Sequence, residues 1–209
     1  MKFEVDSFYP SYDWNGSPWG ENRAFVYNLF DTVGFKPAMV AELGTYMGCS
    51  FFTFCQYFKD KGLTGELFAV DTWEGDEHGG FYGEEVFQNF LTIADKLFAG
   101  KGFTASAMRM TFDEALQFFK DGECDLIHID GRHHYKDVKH DFESWLPKLK
   151  KDGIMIMHDI AVERFGVRKF WDEIKKEYPH REVLNTNGLG ILFPKGIKYY
   201  YSNDQKRNI

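Results

Sequence analysis

Five short apolar runs, each closing on a polar residue or a glycine and each followed by a helix-like stretch, constrain this chain more than any other feature. The runs are Ala38–Leu43, Leu67–Val70, Phe103–Met108, Asp125–Ile129 and Ile154–Met157. Between them the period changes to that of a helix. Cys49 to Lys61 and Glu84 to Phe98 read as helices, and Thr111-Phe112-Asp113-Glu114 is a capping box opening another. Val138, Phe142, Trp145, Leu146 and Leu149 form one amphipathic stripe, and Val167, Phe170, Trp171, Ile174 and Tyr178 form the next. Arg181–Leu184 and Gly190–Phe193, joined through Asn185-Thr186-Asn187-Gly188, read as a closing hairpin. Strands that alternate with helices predict an α/β fold: a mostly parallel seven-stranded sheet with helices on both faces and a C-terminal antiparallel hairpin.

Such a sheet binds its ligands at the carboxyl ends of its strands, near the point where strand order reverses. The residues terminating the runs are therefore the place to look for function. Glu42, Asp71, Asp130, His158 and Asp159 meet on one edge by topology alone. A length of 209 residues favours a single domain, 1–209, with a core over 38–194 and an aromatic segment and helix over 1–37. The 22 phenylalanines are scattered along the chain and read mostly as core.

Charge narrows the partners. Lys and Arg number 25 against 32 Asp and Glu, a net charge of −7. That argues against a phosphate-tracking nucleic-acid binder and against a polybasic membrane anchor. No run of about 18 apolar residues is present to cross a bilayer. Cys49, Cys55 and Cys124 fit neither a disulfide framework nor a metal-ligand spacing. With no signal-peptide pattern at the N-terminus, a cytoplasmic location is expected.

Glu42-Leu43-Gly44-Thr45-Tyr46-Met47-Gly48-Cys49-Ser50 follows the first run and opens a helix. Glycine permits a tight turn and close backbone approach, and a helix N-terminus favours an anionic group. The glycine spacing is not that of a dinucleotide fingerprint, and no P-loop Lys-Ser/Thr follows. Asp71, closing the next run, suits the two hydroxyls of a ribose. Together they point to a nucleoside ligand.

These motifs resemble those of class I S-adenosylmethionine-dependent methyltransferases, which have a Rossmann-like fold. The Glu42–Ser50 segment is similar to the catechol O-methyltransferase branch. Asp71-Thr72-Trp73-Glu74-Gly75-Asp76-Glu77-His78, His128-Ile129-Asp130-Gly131 and His158-Asp159 look more like a bacterial group associated with glycosyltransferases and related to macrocin-type O-methyltransferases. The resemblance implies S-adenosyl-L-methionine as methyl donor and a sugar or glycan hydroxyl as acceptor. It also implies a glycosyltransferase as a domain or neighbour. Carried onto this chain, Glu42, Gly44 and Gly48 would line the methionine part of the cofactor, with Tyr46 and Ser50 near its carboxylate. Asp71 would hold the ribose, and Trp73 would wall the adenine or the acceptor unless its ring simply packs in the core. Arg109 to Phe112 falls where the family contacts adenine.

In metal-dependent relatives, the aspartate after the fourth strand and two residues after the fifth bind Mg²⁺. Here those are Asp130, His158 and Asp159, with His133 placed as general base. An imidazole at 158 departs from the all-oxygen pattern and would suit Mn²⁺, Zn²⁺ or Fe²⁺ better than Mg²⁺, the ion the resemblance favours. In the alternative reading His158 instead orients Asp159 or the acceptor. A histidine near neutral pKa is suited to take the proton of a weakly acidic hydroxyl. His78, between acidic and glycine residues of a loop on the same edge, is an acceptor contact or an alternative base. His128 reads as a core histidine and His140 as a surface one. Two other readings stand beside the sugar enzyme: a methyltransferase for a small phenol, and a methyltransferase-like module that binds without turnover. An oligomer is compatible with either.

Overall fold

A computed structural model describes residues 21–77 and 80–196, together with Lys198. The aromatic stretch before residue 21 and the loop residue His78 lie outside the described residues. Helix α1 (Glu21–Val33) leads into strand β1 (Met39–Leu43), helix α2 (Cys49–Lys61) and strand β2 (Gly65–Asp71). A two-stranded arm follows, β3 (Gly75–Asp76) and β4 (Gly80–Phe81), then α3 (Glu84–Phe98) and β5 (Phe103–Arg109). The second half runs α4 (Phe112–Ala115), β6 (Cys124–Ile129), α5 (Tyr135–Trp145), β7 (Leu149–His158), α6 (Gly166–Ile174), β8 (His180–Val183) and β9 (Leu189–Leu192).

The seven-stranded sheet has the order β5-β2-β1-β6-β7-β9-β8, with β9 antiparallel to both β7 and β8 and the other pairs parallel. The expected α/β sheet with its closing hairpin is the observed fold. From β1 the chain works outward through β2 to β5, then returns to β6 on the other flank of β1. The reversal therefore lies between β1 and β6, where Leu43 pairs with Ile129.

Strands β1 and β6 are buried almost throughout because helices cover both faces. One face packs Phe30, Phe51, Phe54, Phe58 and Phe90 under α1, α2 and α3. The other packs Trp145, Phe142, Phe170 and Trp171 from α5 and α6 against Ala41, Ile127 and Met155. Most described phenylalanines are core, as composition suggests. Among the described residues no helix is long and apolar enough to cross a membrane. Among the described residues Cys49, Cys55 and Cys124 form no disulfide.

Strand β7 is longer than the apolar run Ile154–Met157 indicates. It begins at Leu149, which pairs with Cys124, and the register shifts before Leu126 pairs with Ile154. Lys150, Lys151 and Asp152 occupy the irregular stretch, so hydrophobicity alone hides it.

Candidate active site

The glycine loop between β1 and α2 is shaped by its neighbours. Gly44 has φ +90°, and a Cβ there would lie 2.1 Å from the Asp130 carbonyl oxygen. Only glycine lets the β1 end pass so close to the β6 end. Tyr46 also takes a left-handed backbone, φ 50°. The Asp71 carboxylate secures this turn. Its Oδ2 accepts the N–H groups of Thr45 and Tyr46, both at 2.8 Å, and its Oδ1 accepts Trp73 N–H at 2.8 Å.

Trp73 does not stand beside the cavity. Its backbone, φ 54°, turns the indole into the core against Phe87 and Phe90, where it is 1% exposed. Its Nε1–H donates to the Tyr46 carbonyl at 2.8 Å. The expected adenine wall is thus a buried brace for the loop. Gly48 is likewise absent from the cavity wall and starts α2 in a left-handed conformation.

A cavity of about 600 Å³ opens over the carboxyl ends of the strands. Glu42, Gly44, Tyr46, Ser50 and Asp71, expected to contact a methyl donor, all line it at the β1 and β2 ends. Thr111 and Phe112 line it as well, within the stretch singled out for adenine. Tyr46 packs against Tyr82 with ring centroids 4.4 Å apart. Glu42 is 1% exposed, and its Oε1 lies 2.9 Å from Nδ1 of His128, itself 1% exposed. Burial raises the Glu42 pKa, and the His128 contact offsets part of that rise. His128 is therefore a core histidine with a partner. Glu42 Oε2 and Thr45 Oγ1 are buried side by side on this wall, where the Thr45 hydroxyl partly offsets the rise in the Glu42 pKa.

Across the strand reversal sits a second group. His133 Nε2 is 2.8 Å from Asp159 Oδ2. His158 Nδ1 lies 3.2 Å from Asp130 Oδ1 and 3.3 Å from Asp159 Oδ1, bridging the two carboxylates. Burial opposes charge on His133, but Asp159 outweighs it and holds the pKa above the ordinary histidine value. Burial also opposes charge on His158, and Asp130 and Asp159 overrule it by a wide margin. Asp159 would rise through burial, yet hydrogen bonds from His133 and His158 hold it well below the usual carboxylate range.

Donor atoms of Asp130, His133 and Asp159 all lie within 4.8 Å of one another. The geometry adds His133 to the expected Asp130, His158 and Asp159 as a residue whose donor atom stands beside the two carboxylates. His158 spends Nδ1 on joining those carboxylates. The trio's two oxygens and one nitrogen suit Mn²⁺ at least as well as Mg²⁺.

The sequence does not foretell Phe165, whose ring stacks on His133 at 4.1 Å and 8°. Nor does it foretell Arg164, Tyr82 and Asp76, which also line the cavity. The arm's Glu77 is held by Arg132, whose Nη2 donates to both carboxylate oxygens at 2.7 and 2.9 Å, and by His134 Nε2 at 2.9 Å. His140 is exposed and paired with Asp113, as a surface histidine should be.

Comparison with known proteins follows this geometry. An uncharacterized protein of Sinorhizobium fredii, y4gI, is 42% identical over 160 residues, covering 76% of this chain. The match takes up only 17% of that protein's length. The S-adenosylhomocysteine-bound Podospora anserina methyltransferase PaMTH1 has the same fold, with TM-score 0.60 at 13% identity over 90% of this chain and 83% of its own. CalS11, a TDP-rhamnose 3′-O-methyltransferase of calicheamicin biosynthesis, gives TM-score 0.57 at 15% identity over 83% and 78%. A family model described as a methyltransferase domain matches residues 41–160, from the middle of β1 to just past Asp159. The chain belongs to that methyltransferase domain family.

Proposed function

We propose that the chain transfers a methyl group from S-adenosyl-L-methionine to a hydroxyl of a sugar or glycan. One observation carries this reading: the glycine loop and the Asp130–His133–Asp159 group face the same cavity. Family membership supports methyl transfer, and the S-adenosylhomocysteine in the PaMTH1 structure supports the donor. The sugar rests on the sequence resemblance and on the rhamnose acceptor of CalS11. The wall carries polar groups, Asp76 and Asn187 among them, beside the aromatic rings of Phe81 and Tyr82, and sugars are bound by that combination of hydrogen bonding and stacking. A glycosyltransferase in the same protein or nearby belongs to the same proposal.

In this reading the acceptor oxygen attacks the methyl carbon in line with the sulfonium. The O–CH₃ bond forms as the S–CH₃ bond breaks, and S-adenosylhomocysteine leaves. His133 Nε2–H donates to Asp159, so the hydroxyl proton would go to the other ring nitrogen, Nδ1, and the Asp159 charge would stabilise the imidazolium. Phe165 holds the imidazole plane, and His158 holds Asp159 and Asp130 in place. Glu42 and Asp71 keep the donor wall in shape.

A second reading rests on the three converging donor atoms. Asp130, His133 and Asp159 would hold a divalent ion, Mn²⁺ or Mg²⁺, which when bound would make the acceptor hydroxyl more acidic. Thermal unfolding with S-adenosylhomocysteine, in EDTA, Mg²⁺ and Mn²⁺, tests both readings. At about 100 times its Kd a ligand adds about 2.7 kcal/mol. Each kcal/mol raises Tm by roughly 2–4 °C in a domain of this size. A rise in EDTA supports the donor site, and a further rise with Mn²⁺ supports the ion. No rise with millimolar S-adenosylhomocysteine overturns the proposal.

A further inference from the structure

Among the described residues of the cavity wall, every cation but Arg164 is engaged with a carboxylate. His133 faces Asp159, and His158 bridges Asp130 and Asp159. Arg132 is held by Glu77 and lies 3.6 Å from Asp137. Arg164 makes no ion pair among the described residues. It is exposed, and its guanidinium lies over the Phe165 ring at 5.1 Å. Phe165 in turn stacks on His133. Arg164, Phe165 and His133 thus form a ladder that ties an uncommitted positive charge to the proton-accepting ring.

We propose that Arg164 reads an anionic group on the acceptor, so that the molecule receiving the methyl group is an acidic sugar: a sugar phosphate ester or a sugar carboxylate. The inference deepens the sugar-hydroxyl reading and rests on it. A guanidinium offers a planar fork of donors matched to phosphate and carboxylate oxygens. The rest of the wall is rich in carboxylates, including Glu42, Asp71, Asp76 and Asp130. An anion entering it needs a cation that is not already neutralised.

Position assigns the anion to the acceptor rather than to the donor. The donor wall is built from the ends of β1 and β2 and the start of α2. Arg164 follows β7, on the far side of β6 from that wall. The methionine carboxylate belongs with the glycine loop and the N-terminus of α2. Phe81, on the arm, lines the same cavity and is 83% exposed, an apolar face on which a sugar ring can stack.

The test is isothermal titration of the full chain and of Arg164→Gln, each with and without S-adenosylhomocysteine. Three probes are used: a nucleoside-diphosphate-linked hexose, glucuronic acid and methyl glucoside. At least one anionic probe should bind the wild type about 10-fold tighter or more than the neutral glycoside does. Arg164→Gln should weaken that probe by about 10- to 100-fold, the scale of a charge-assisted hydrogen bond. Its affinities for methyl glucoside and S-adenosylhomocysteine should not change. Preference for the diphosphate-linked sugar identifies a phosphate ester, and preference for glucuronic acid identifies a carboxylate.

Equal binding of charged and neutral probes overturns the proposal. So does failure of both anionic probes to bind, or a loss of S-adenosylhomocysteine affinity in Arg164→Gln. Arg164→Lys, which keeps the charge and removes the fork, should bind between the two. If S-adenosylhomocysteine itself does not bind the wild type, the donor reading falls, and the titrations without it still decide the role of Arg164.

Discussion

Gly44 and Asp130 meet where the sheet reverses direction, with the Gly44 Cα pressed against the Asp130 carbonyl. Asp130 N–H donates to the Leu43 carbonyl at 2.8 Å, and Gly44 N–H donates to Val70 at 2.9 Å, so three strand ends are fastened within two residues. This contact brings the glycine loop and the Asp130–His133–Asp159 group to one cavity.

Gly44→Ala sets a methyl 2.1 Å from that carbonyl and forces a non-glycine residue to φ +90°. Strain and overpacking together should cost about 2–4 kcal/mol. Urea unfolding should show a lower midpoint with an unchanged slope, and S-adenosylhomocysteine should bind more weakly. A variant as stable as the wild type would show that the loop has room the structure does not contain.

Asp71→Ala should lower stability as well as donor affinity. A residue whose only duty is to hold a ribose could be removed without harm to the fold. Asp71 instead accepts three backbone N–H groups, from Thr45, Tyr46 and Trp73. Leaving those donors without their partner should cost about 2–3 kcal/mol, read as a fall in Tm in the absence of ligand. Asp71→Asn should fall between, because the amide nitrogen cannot accept. A Tm equal to wild type in Asp71→Ala, with donor binding lost, would return Asp71 to a ligand contact alone.

How far the sequence could be read follows from where its signals are local. Helices α2 and α3 are legible because their periodicity is local; they run over Cys49–Lys61 and Glu84–Phe98, where the sequence puts them. Glu42, Asp71, Asp130, His158 and Asp159 are legible because strand ends converge in any sheet of this order. Trp73 is misleading: an aromatic beside an acidic strand end looks like a ligand wall, and only its positive φ sends the ring inward. That His158 reaches both carboxylates while His133 reaches Asp159 has no local signal, since it depends on which ring nitrogen meets which carboxylate. Phe165 and Arg164 lie well past the end of β7 in a segment without a motif. Their contribution arises from stacking across the cavity.

Asp141 makes stability depend on pH. It sits on α5, is 7% exposed, and burial pushes its carboxyl up to about 7. His140 counteracts that rise, while Asp137 and Asp113 add to it. An unfolded aspartate gives up its proton near 3.9. Between about 4 and 7 the native state therefore holds more protons than the unfolded one, and stability falls as pH rises. Asp141→Asn should be more stable than the wild type above pH 7, by roughly 2–4 kcal/mol. The gap should close below pH 4. A constant difference from pH 4 to pH 8 in urea midpoints would rule the titration out.

His133→Ala separates proton transfer from donor binding. The imidazole stands on the acceptor side of β6, against Asp159 and Phe165, and takes no part in the glycine loop. S-adenosylhomocysteine affinity should therefore stay at the wild-type value while methyl transfer slows by about 10²–10⁴-fold. Phe165→Leu keeps the imidazole and removes its stacking partner, so its loss should be smaller. Recovery of the Ala variant at high pH, where the acceptor hydroxyl ionises unaided, would mark the missing function as proton removal. If the Ala variant instead binds Mn²⁺ more weakly and gains nothing from alkali, His133 serves as a metal ligand. Unchanged turnover would remove His133 from the chemistry and direct attention to His134 and His78.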